Sequence, residues 1–274
     1  MATRLTDAEQ WECLIPRMQF MSTLRNLRNF DEVGISNTIA NSVIQKLVDP
    51  DEVAKSRQLP FRFYSAFKNV SSLRWSQALE TALDYATGNI PELPGRTLIL
   101  TDTSASMTSR MSDKSTITCL EAAAVFGSAL ATKNAGRVDL FQYADFPAAI
   151  PVSRGGSVLR LTEAIAKQVN RCGYGTEIAG SIRRTYQGHN RIIILSDGQG
   201  TSRQSSGGVA ASVPSNVPVY LFNIEGYSAS PMPTGSAARF DLGGLGDSTF
   251  GLIPLLEAGH GAWPWEIDAQ PSVH

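Results

Sequence analysis

The chain of 274 residues is 42% hydrophobic and 18% charged, which is typical of a globular protein of one or two domains. Its formal net charge of −1 excludes attraction to nucleic acid by the charge of the whole molecule, although local basic patches remain compatible with this value. The three cysteines are far apart and odd in number, so no disulfide framework or zinc-ligand spacing is visible. With no apolar signal segment at its start and no run long enough to span a membrane, the sequence predicts a cytoplasmic protein without a membrane partner.

Residues 1 to 90 carry apolar side chains at helical spacing and predict four or five short amphipathic helices. The predicted helices cover 15–30, 33–48, 51–56, 61–70 and 75–86. Such a series predicts a helical-repeat segment, although no firm period can be extracted. A Pro/Gly-rich connector follows it, and we therefore predict two domains, 1–95 and 96–274.

Beyond the connector, apolar strands alternate with helical segments. The predicted strands cover 98–101, 137–143, 149–153, 192–195, 217–223 and 239–242, and the predicted helices cover 117–132, 158–169, 177–186 and 248–258. The strand at 149–153 is interpreted as an antiparallel edge strand, and 201–215 and 228–235 as loops. The alternation predicts an α/β fold with a doubly wound, mostly parallel sheet.

Side chains that offer hard oxygen follow two of the predicted strands and begin one of the predicted helices. Asp102, Ser104 and Ser106 follow the first strand, Thr176 lies in a Gly-Tyr-Gly-Thr segment, and Asp197 follows the fourth strand. Because ligands bind at the carboxyl ends of strands in open α/β sheets, we expect these residues to converge at one edge. Oxygen ligands suit Mg²⁺ or Mn²⁺ rather than zinc. Each segment alone could merely cap a helix, but the three in this order favour a metal site.

These residues resemble the metal-ion-dependent adhesion site of von Willebrand factor A domains, and all five motif positions match. The resemblance implies that Asp102, Ser104, Ser106, Thr176 and Asp197 form the metal's inner and second shells. Mostly neutral hydroxyls and waters leave the charge of such an ion under-compensated, so an open position attracts an acidic oxygen from a protein partner. The ion then acts as a bridge and does not generate nucleophilic water. We therefore expect a binding protein and no enzyme.

The helical segment carries a second resemblance. The sequence Leu24-Arg-Asn-Leu-Arg-Asn-Phe30 resembles the signature helix of TROVE domains, the family of telomerase, Ro and vault proteins. Leu59-Pro-Phe-Arg-Phe resembles that family's later Pro-Phe helix, and 75–84 resembles its last helix before the A domain. The resemblance implies a HEAT-like helical segment of a Ro-like protein. Proteins of this type form a helical ring closed by the A domain, and they bind small structured RNAs outside and single-stranded RNA ends through the hole.

The helical segment matches only the C-terminal arc of such a ring, so we expect that one chain does not close a ring by itself. Assembly of several chains, as a homo-oligomer, is one alternative. In the other, the helices only brace the A domain. RNA binding is thus a hypothesis that comes from the resemblance.

Basic and amide side chains of the helical segment are the candidates for contacts with RNA, since guanidinium and amide groups bind phosphates and base edges. The candidates are Arg17, Arg25, Asn26, Arg28, Arg62 and Lys68. The alternative is a solvated helix face, with arginines paired to Asp31 or Glu32. The balance of acidic and basic residues in this segment favours that alternative.

Together these patterns predict a non-enzymatic, Ro-like RNA-binding or ribonucleoprotein scaffold with a divalent-metal site. A first alternative is a metal-dependent protein adaptor or self-assembling structural protein without RNA. A second is a metal-dependent phosphoesterase, which is disfavoured because the sequence offers no general base near Asp102.

Overall fold

The computed structural model of the protein describes residues 5–113, 115–198, 208–225, 238–245 and 249–259. Within these residues a layer of short helices precedes a six-stranded sheet that has helices on both faces. The predicted α/β fold with a mostly parallel sheet behind a helical segment is therefore confirmed. None of the helices in the described ranges combines the length and apolar character needed to cross a bilayer.

In the described part of the chain the helical layer contains six α-helices. They are α1 (Asp7–Leu14), α2 (Phe20–Val33), α3 (Asn37–Leu47), α4 (Pro50–Ser56), α5 (Pro60–Asn69) and α6 (Ser76–Ala86). Side-chain caps start several of them: Thr6 and Glu9 form a capping box on α1, Ser36 caps α3, and Asp49 accepts hydrogen bonds from the first turn of α4. Because these caps satisfy backbone amides that lack an intrahelical partner, each short helix has a defined start.

Two of the predicted helices have the wrong start. The one at 15–30 is interrupted because Pro16 lies in a 3₁₀ turn, Ile15–Arg17, and the extended backbone of Met18 delays α2 until Phe20. The one at 33–48 begins only at Asn37. Gly34 ends α2 in the left-handed conformation with a φ of 71°, which a glycine adopts without steric cost.

The sheet has the strand order β3-β2-β1-β4-β5-β6. Its strands are β1 (Thr97–Asp102), β2 (Val138–Tyr143), β3 (Pro147–Ile150), β4 (Arg191–Ser196), β5 (Val219–Asn223) and β6 (Arg239–Gly243). All neighbouring strands pair in parallel except β2 and β3. The predicted antiparallel edge strand is confirmed, but it lies at Pro147–Ile150 instead of 149–153, and Pro151, which has no N–H, follows its end.

The described helices that flank the sheet are α7 (Cys119–Lys133), α8 (Val158–Ala166), α9 (Ile178–Thr185) and α10 (Thr249–Ala258). Successive residues of β1 face opposite sides, so Ile99 packs with α7 and α8 while Leu98 and Leu100 pack with α9. α7 lies close to the sheet, since a Cβ at Gly127 would be 3.2 Å from the hydroxyl of Thr101. The helix predicted at 158–169 ends three residues early, at Ala166.

The apolar core on the α7 side of the sheet continues into the helical layer. Phe30 and Trp75 of that layer are fully buried in the same cluster as Ile99. Polar contacts join the two parts as well: Asn134, after α7, accepts a 2.9 Å hydrogen bond from Leu93 N, and Asp84 of α6 accepts one of 2.9 Å from Val158 N. The helical layer is thus packed on the sheet, and the domain boundary at residue 95 stays a prediction.

Candidate functional site

Two carboxylates lie where the strand order of the sheet reverses. β1 pairs with β2 on one side and with β4 on the other, and Asp102 ends β1 while Asp197 follows β4. This reversal is the point at which open α/β sheets bind ligands, because the connections on either side leave in opposite directions and open a crevice. Both carboxylates are fully buried.

The Asp102 carboxylate is held by two hydrogen bonds. Its Oδ1 accepts from Ser104 N at 2.9 Å, and its Oδ2 accepts from Ser196 Oγ at 2.7 Å. Burial raises the pKa of Asp102 to about 6; these hydrogen bonds oppose the increase, whereas the nearby charge of Asp197 adds to it. Burying two negative charges side by side is costly unless a cation compensates them.

The serine hydroxyls of the loop after β1 point toward each other. Ser104 Oγ and Ser106 Oγ are 3.1 Å apart, and Ser104 is only 2% exposed. Adjacent ligands of an octahedral ion with bonds of about 2.0–2.1 Å are about 3 Å apart. The hydroxyl pair therefore has the separation that two neighbouring ligands of Mg²⁺ require.

The loop that carries Thr176 is fixed to the end of β2. Asp145 accepts hydrogen bonds from Tyr174 N (3.0 Å) and Gly175 N (2.9 Å), and Glu177 N donates to Ala144 O at 2.8 Å. Thr176 itself is 7% exposed. The loop is thus attached on both sides of the threonine.

Hydrogen bonds also join this loop to the loop after β1. Asn170 N donates to Thr103 O at 3.1 Å, while Thr103 N donates to Tyr143 O at 2.9 Å. Since Ser196 of β4 donates to Asp102, the three segments that carry the five predicted residues form one connected network at the carboxyl edge of the sheet.

Four further residues contribute to this edge, and the sequence interpretation did not single them out. Ser196 orients Asp102, Asp145 holds the threonine loop, and Glu225 accepts hydrogen bonds from Ser109 and Cys119. The fourth, Tyr143, is fully buried, and burial together with the Asp102 charge holds its pKa well above the ordinary value. The signal that could have found Asp145 and Glu225 is their position directly after strands β2 and β5.

Cys119 lies beside this edge at the start of α7. Burial raises the pKa of its thiol to about 11, and the charge of Glu225 adds to the effect. A thiol that stays protonated is a poor nucleophile and a poor metal ligand. Cys119 therefore gives the site no thiolate chemistry.

The donor set of the edge fits a hard cation. It consists of two buried carboxylates and three hydroxyls, and no group of three or more His, Cys, Asp or Glu suited to a metal occurs in the described ranges. Mg²⁺ and Mn²⁺ accept such oxygen ligands and usually retain waters, whereas zinc prefers nitrogen and sulfur. The residues present therefore fit the predicted divalent ion, which would be held by few protein charges.

Three of the predicted RNA-contact residues line one groove in the helical layer. This groove, which we call the α2–α5 groove, is a cavity of about 370 Å³ between those two helices. Its polar lining consists of Arg25, Arg28, Asn29, Arg62, Ser65 and Asn69. Met21 and Val70 add apolar surface. Arginines that are distant in sequence thus share a concave surface.

The other three candidates lie elsewhere. Arg17 is exposed in the 3₁₀ turn before α2. The side-chain amide of Asn26 donates to Ser22 O and accepts a hydrogen bond from the amide of Asn29. Lys68 forms a 2.7 Å ion pair with Glu121 of α7. These three residues do not line the α2–α5 groove.

The alternative pairing of the arginines with acidic residues is partly realised. Arg28 forms a 3.1 Å pair with Glu32, and both side chains are more than half exposed. Asp31 instead binds Arg74 at 2.7 Å and the indole of Trp75 at 2.9 Å. The Asp31 carboxylate therefore fixes the turn before α6.

Comparison with known proteins identifies the helical segment. Residues 1–74 match the TROVE domain. Telomerase protein component 1 of Mus musculus and that of Rattus norvegicus are each 39% identical over 75 residues. That stretch is 27% of this chain, and the chain spans only 3% of the length of these relatives.

Among solved structures, the crystal structure of the Deinococcus radiodurans Ro (RSR) protein is similar, with a TM-score of 0.73 at 17% sequence identity. The similarity covers 94% of this chain and 57% of that protein. This similarity of fold includes the sheet as well as the helical layer. The first 74 residues of the chain therefore match a TROVE domain, and the chain shares the fold of this Ro protein.

Proposed function

We propose that this protein binds RNA as a Ro-like component of a ribonucleoprotein. The observation that carries the proposal is the convergence of Arg25, Arg28 and Arg62 on the α2–α5 groove, in a segment that matches the TROVE domain. Because the net charge of the chain is −1, binding to an anionic ligand depends on such local clusters.

The chemistry of the groove suits nucleotides. Guanidiniums form paired hydrogen bonds with phosphate oxygens, and the amides of Asn29 and Asn69 can bind base or sugar groups. Met21 and Val70 offer apolar surface to the face of a base. The exposed Arg28–Glu32 pair contributes little to stability, so a phosphate can replace Glu32 at small cost.

The test is binding of a fluorescently labelled single-stranded RNA, measured by anisotropy at several salt concentrations. For the double variant Arg25→Glu and Arg62→Glu we expect about a 10-fold or greater loss of affinity and a shallower salt dependence, since phosphate contacts are lost. The control is Lys167→Glu, a single charge reversal directly after α8, whose exposed pair with Glu163 lies outside the groove. Equal affinity of the double variant and the control would refute RNA binding at this groove.

We further propose that the edge formed by Asp102, Ser104, Ser106, Thr176 and Asp197 holds Mg²⁺ or Mn²⁺ for adhesion. What supports this is the 3.1 Å spacing of the two serine hydroxyls beside paired buried carboxylates. When bound, the ion offers an open position to an acidic oxygen of a partner. Asp102→Asn keeps the shape and removes the charge, so calorimetric Mg²⁺ titration should show no binding to a folded protein. Unchanged affinity would sink the metal site.

The proposed metal site is also compatible with a second candidate function, a metal-dependent adaptor or self-assembling protein without RNA. Sedimentation of the protein at varied Mg²⁺, before and after nuclease treatment, separates the two. Magnesium-driven assembly that survives nuclease favours the adaptor, and nuclease-sensitive assembly favours the ribonucleoprotein. We propose no catalytic role, and turnover of RNA or nucleotides with Mg²⁺ or Mn²⁺ would contradict that view.

A further inference from the structure

Two aromatic rings are exposed beside the loops of the candidate metal site. Tyr174 is 78% exposed and Phe146 is 46% exposed, although large apolar side chains are usually buried. We call this pair the aromatic rim. Phe146 N donates to Cys172 O at 3.2 Å, so both rings are carried by two segments that are bonded to each other.

The aromatic rim is held rigidly rather than by a loose loop. Asp145 accepts hydrogen bonds from the consecutive amides of Tyr174 and Gly175, which fixes the backbone that carries the ring. A Cβ at Gly173 or Gly175 would collide with the Asp145 carboxylate, and Gly173 has a φ of 102°. The close approach therefore requires glycine on both sides of Tyr174. A tyrosine presented this way loses little additional backbone freedom on binding a ligand.

The position of the rim relates it to the ion. Tyr174 precedes Thr176 by two residues, so the chain between their Cα atoms spans at most about 7 Å. A ligand bound to the ion is thus within reach of the ring. The ligand must offer both an anionic oxygen and a flat face.

The surroundings of the rim favour a nucleotide over an apolar protein surface. Among the described residues, the large apolar side chains exposed on these two segments are Phe146 and Tyr174. Tyr174 lies between two glycines, and the exposed Asp145 accepts a hydrogen bond from its backbone amide. Protein interfaces centre on well-packed apolar clusters, whereas one exposed ring is enough to stack an unpaired base. The exposed Arg171 in the same loop, with its guanidinium 2.6 Å from Gln168, adds positive charge close to the rim.

We infer that the aromatic rim stacks an unpaired base of single-stranded RNA whose phosphate binds at the metal site, a role that rests on the proposed RNA and metal binding. The ion supplies an open position for the anionic oxygen, and Tyr174 supplies most of the stacking surface because it is the more exposed ring. Stacking tolerates every base, so this contact selects unpaired RNA rather than a sequence.

The experiment measures affinity for a short labelled oligoadenylate with 2-aminopurine at one position, in Mg²⁺ and in EDTA. In Mg²⁺, Tyr174→Ala should weaken binding about 5-fold or more, while Tyr174→Phe, which keeps the ring, should bind like the wild type. Quenching of 2-aminopurine, which reports stacking directly, should be reduced in Tyr174→Ala. In EDTA the difference between the wild type and Tyr174→Ala should disappear. The matched control is Tyr85→Ala, which removes a 43% exposed ring from α6.

The outcomes separate this inference from the proposed function. If Tyr174→Ala binds RNA like the wild type while the groove variants lose affinity, the inference is overturned and RNA binding stands. If the wild type binds neither RNA nor Mg²⁺, the proposed function is refuted and the inference is overturned with it. If Tyr174→Ala weakens capture of a polyglutamate peptide but not of RNA, the rim serves a protein partner, and the inference is also overturned.

Discussion

The carboxylate of Glu121 on α7 lies 2.7 Å from the ammonium of Lys68 on α5. The same carboxylate accepts a 3.1 Å hydrogen bond from the hydroxyl of Tyr64 and closes the capping box of α7 with Thr118. One side chain thus starts a helix of the sheet layer and attaches the helical layer to it. Lys68 was a candidate for RNA contact, but in the structure it forms this attachment.

Replacing Glu121 by glutamine should therefore loosen the junction between the two layers. The change removes the ion pair with Lys68 and weakens the cap of α7, so we expect a loss of about 1–2 kcal/mol in the free energy of unfolding, measured by urea denaturation. Glu32→Gln is the control, because Glu32 forms an exposed pair with Arg28 within α2. An equal effect of the two variants would mean that Glu121 does not join the layers.

The site could be predicted from sequence where its geometry follows from parallel strands. Asp102 and Asp197 each follow an apolar run, and neighbouring parallel strands place such residues side by side. The attachment of Glu121 to Lys68 could not be predicted, because it joins residues 53 apart through packing of two helices. The hydrogen bond from Tyr174 N to Asp145, which fixes the loop of Thr176, could not be predicted either, because it joins residues 29 apart.

Within the helical layer, periodicity predicted which faces are buried but not where helices start. Leu24, Leu27 and Phe30 are buried as the spacing predicts. The start of α2 is decided instead by Pro16 and the extended backbone of Met18, which apolar spacing does not register. Likewise, three arginines could be proposed as RNA contacts from composition, but their meeting in one groove depends on how α2 and α5 pack.

Two carboxylates at structural junctions should each contribute less to stability in acid, because their pKa values are lowered in the folded protein. For Glu121, burial raises the pKa, but hydrogen bonds from Lys68 and Thr118 outweigh it. For Asp139 of β2, burial is likewise outweighed by hydrogen bonds from His189 and Arg96. A carboxylate with a lowered folded-state pKa stabilises the protein above its unfolded-state pKa. This contribution is lost as the pH falls through the folded-state pKa.

The corresponding measurement is the free energy of unfolding between about pH 5 and about pH 3. Over this range the stabilising contributions of Glu121 and Asp139 are lost, so acidification should destabilise Glu121→Gln and Asp139→Asn less than the wild type, because each variant lacks one of the titrating groups. Asp113→Asn, at an exposed loop position, serves as control. A variant whose acid loss equals that of the wild type would show that its carboxylate is not responsible.

Mg²⁺ should stabilise the folded protein if it binds at the proposed metal site. An ion that binds only the folded state at about 100 times its dissociation constant adds about 2.7 kcal/mol. Ser104→Ala removes one hydroxyl of the 3.1 Å pair, so the rise in melting temperature with Mg²⁺ should shrink in this variant. Ser157→Ala removes a hydroxyl that caps α8 and should keep the full magnesium effect despite a lower starting temperature. A full magnesium effect in Ser104→Ala would remove Ser104 from the ligand set.

The hold of Asp145 on the threonine loop predicts a coupled effect of two substitutions. Asp145→Ala leaves the amides of Tyr174 and Gly175 without their acceptor, so the loop loosens and Mg²⁺ affinity should fall about 10-fold, as for other outer contacts of metal ligands. Gly175→Ala should also weaken binding, because its Cβ collides with the carboxylate. In the double variant the collision is gone, so the combined loss should be smaller than the sum of the single losses. Calorimetric titration of all four proteins measures this coupling, and strictly additive losses would show that Asp145 does not act on Thr176 through this loop.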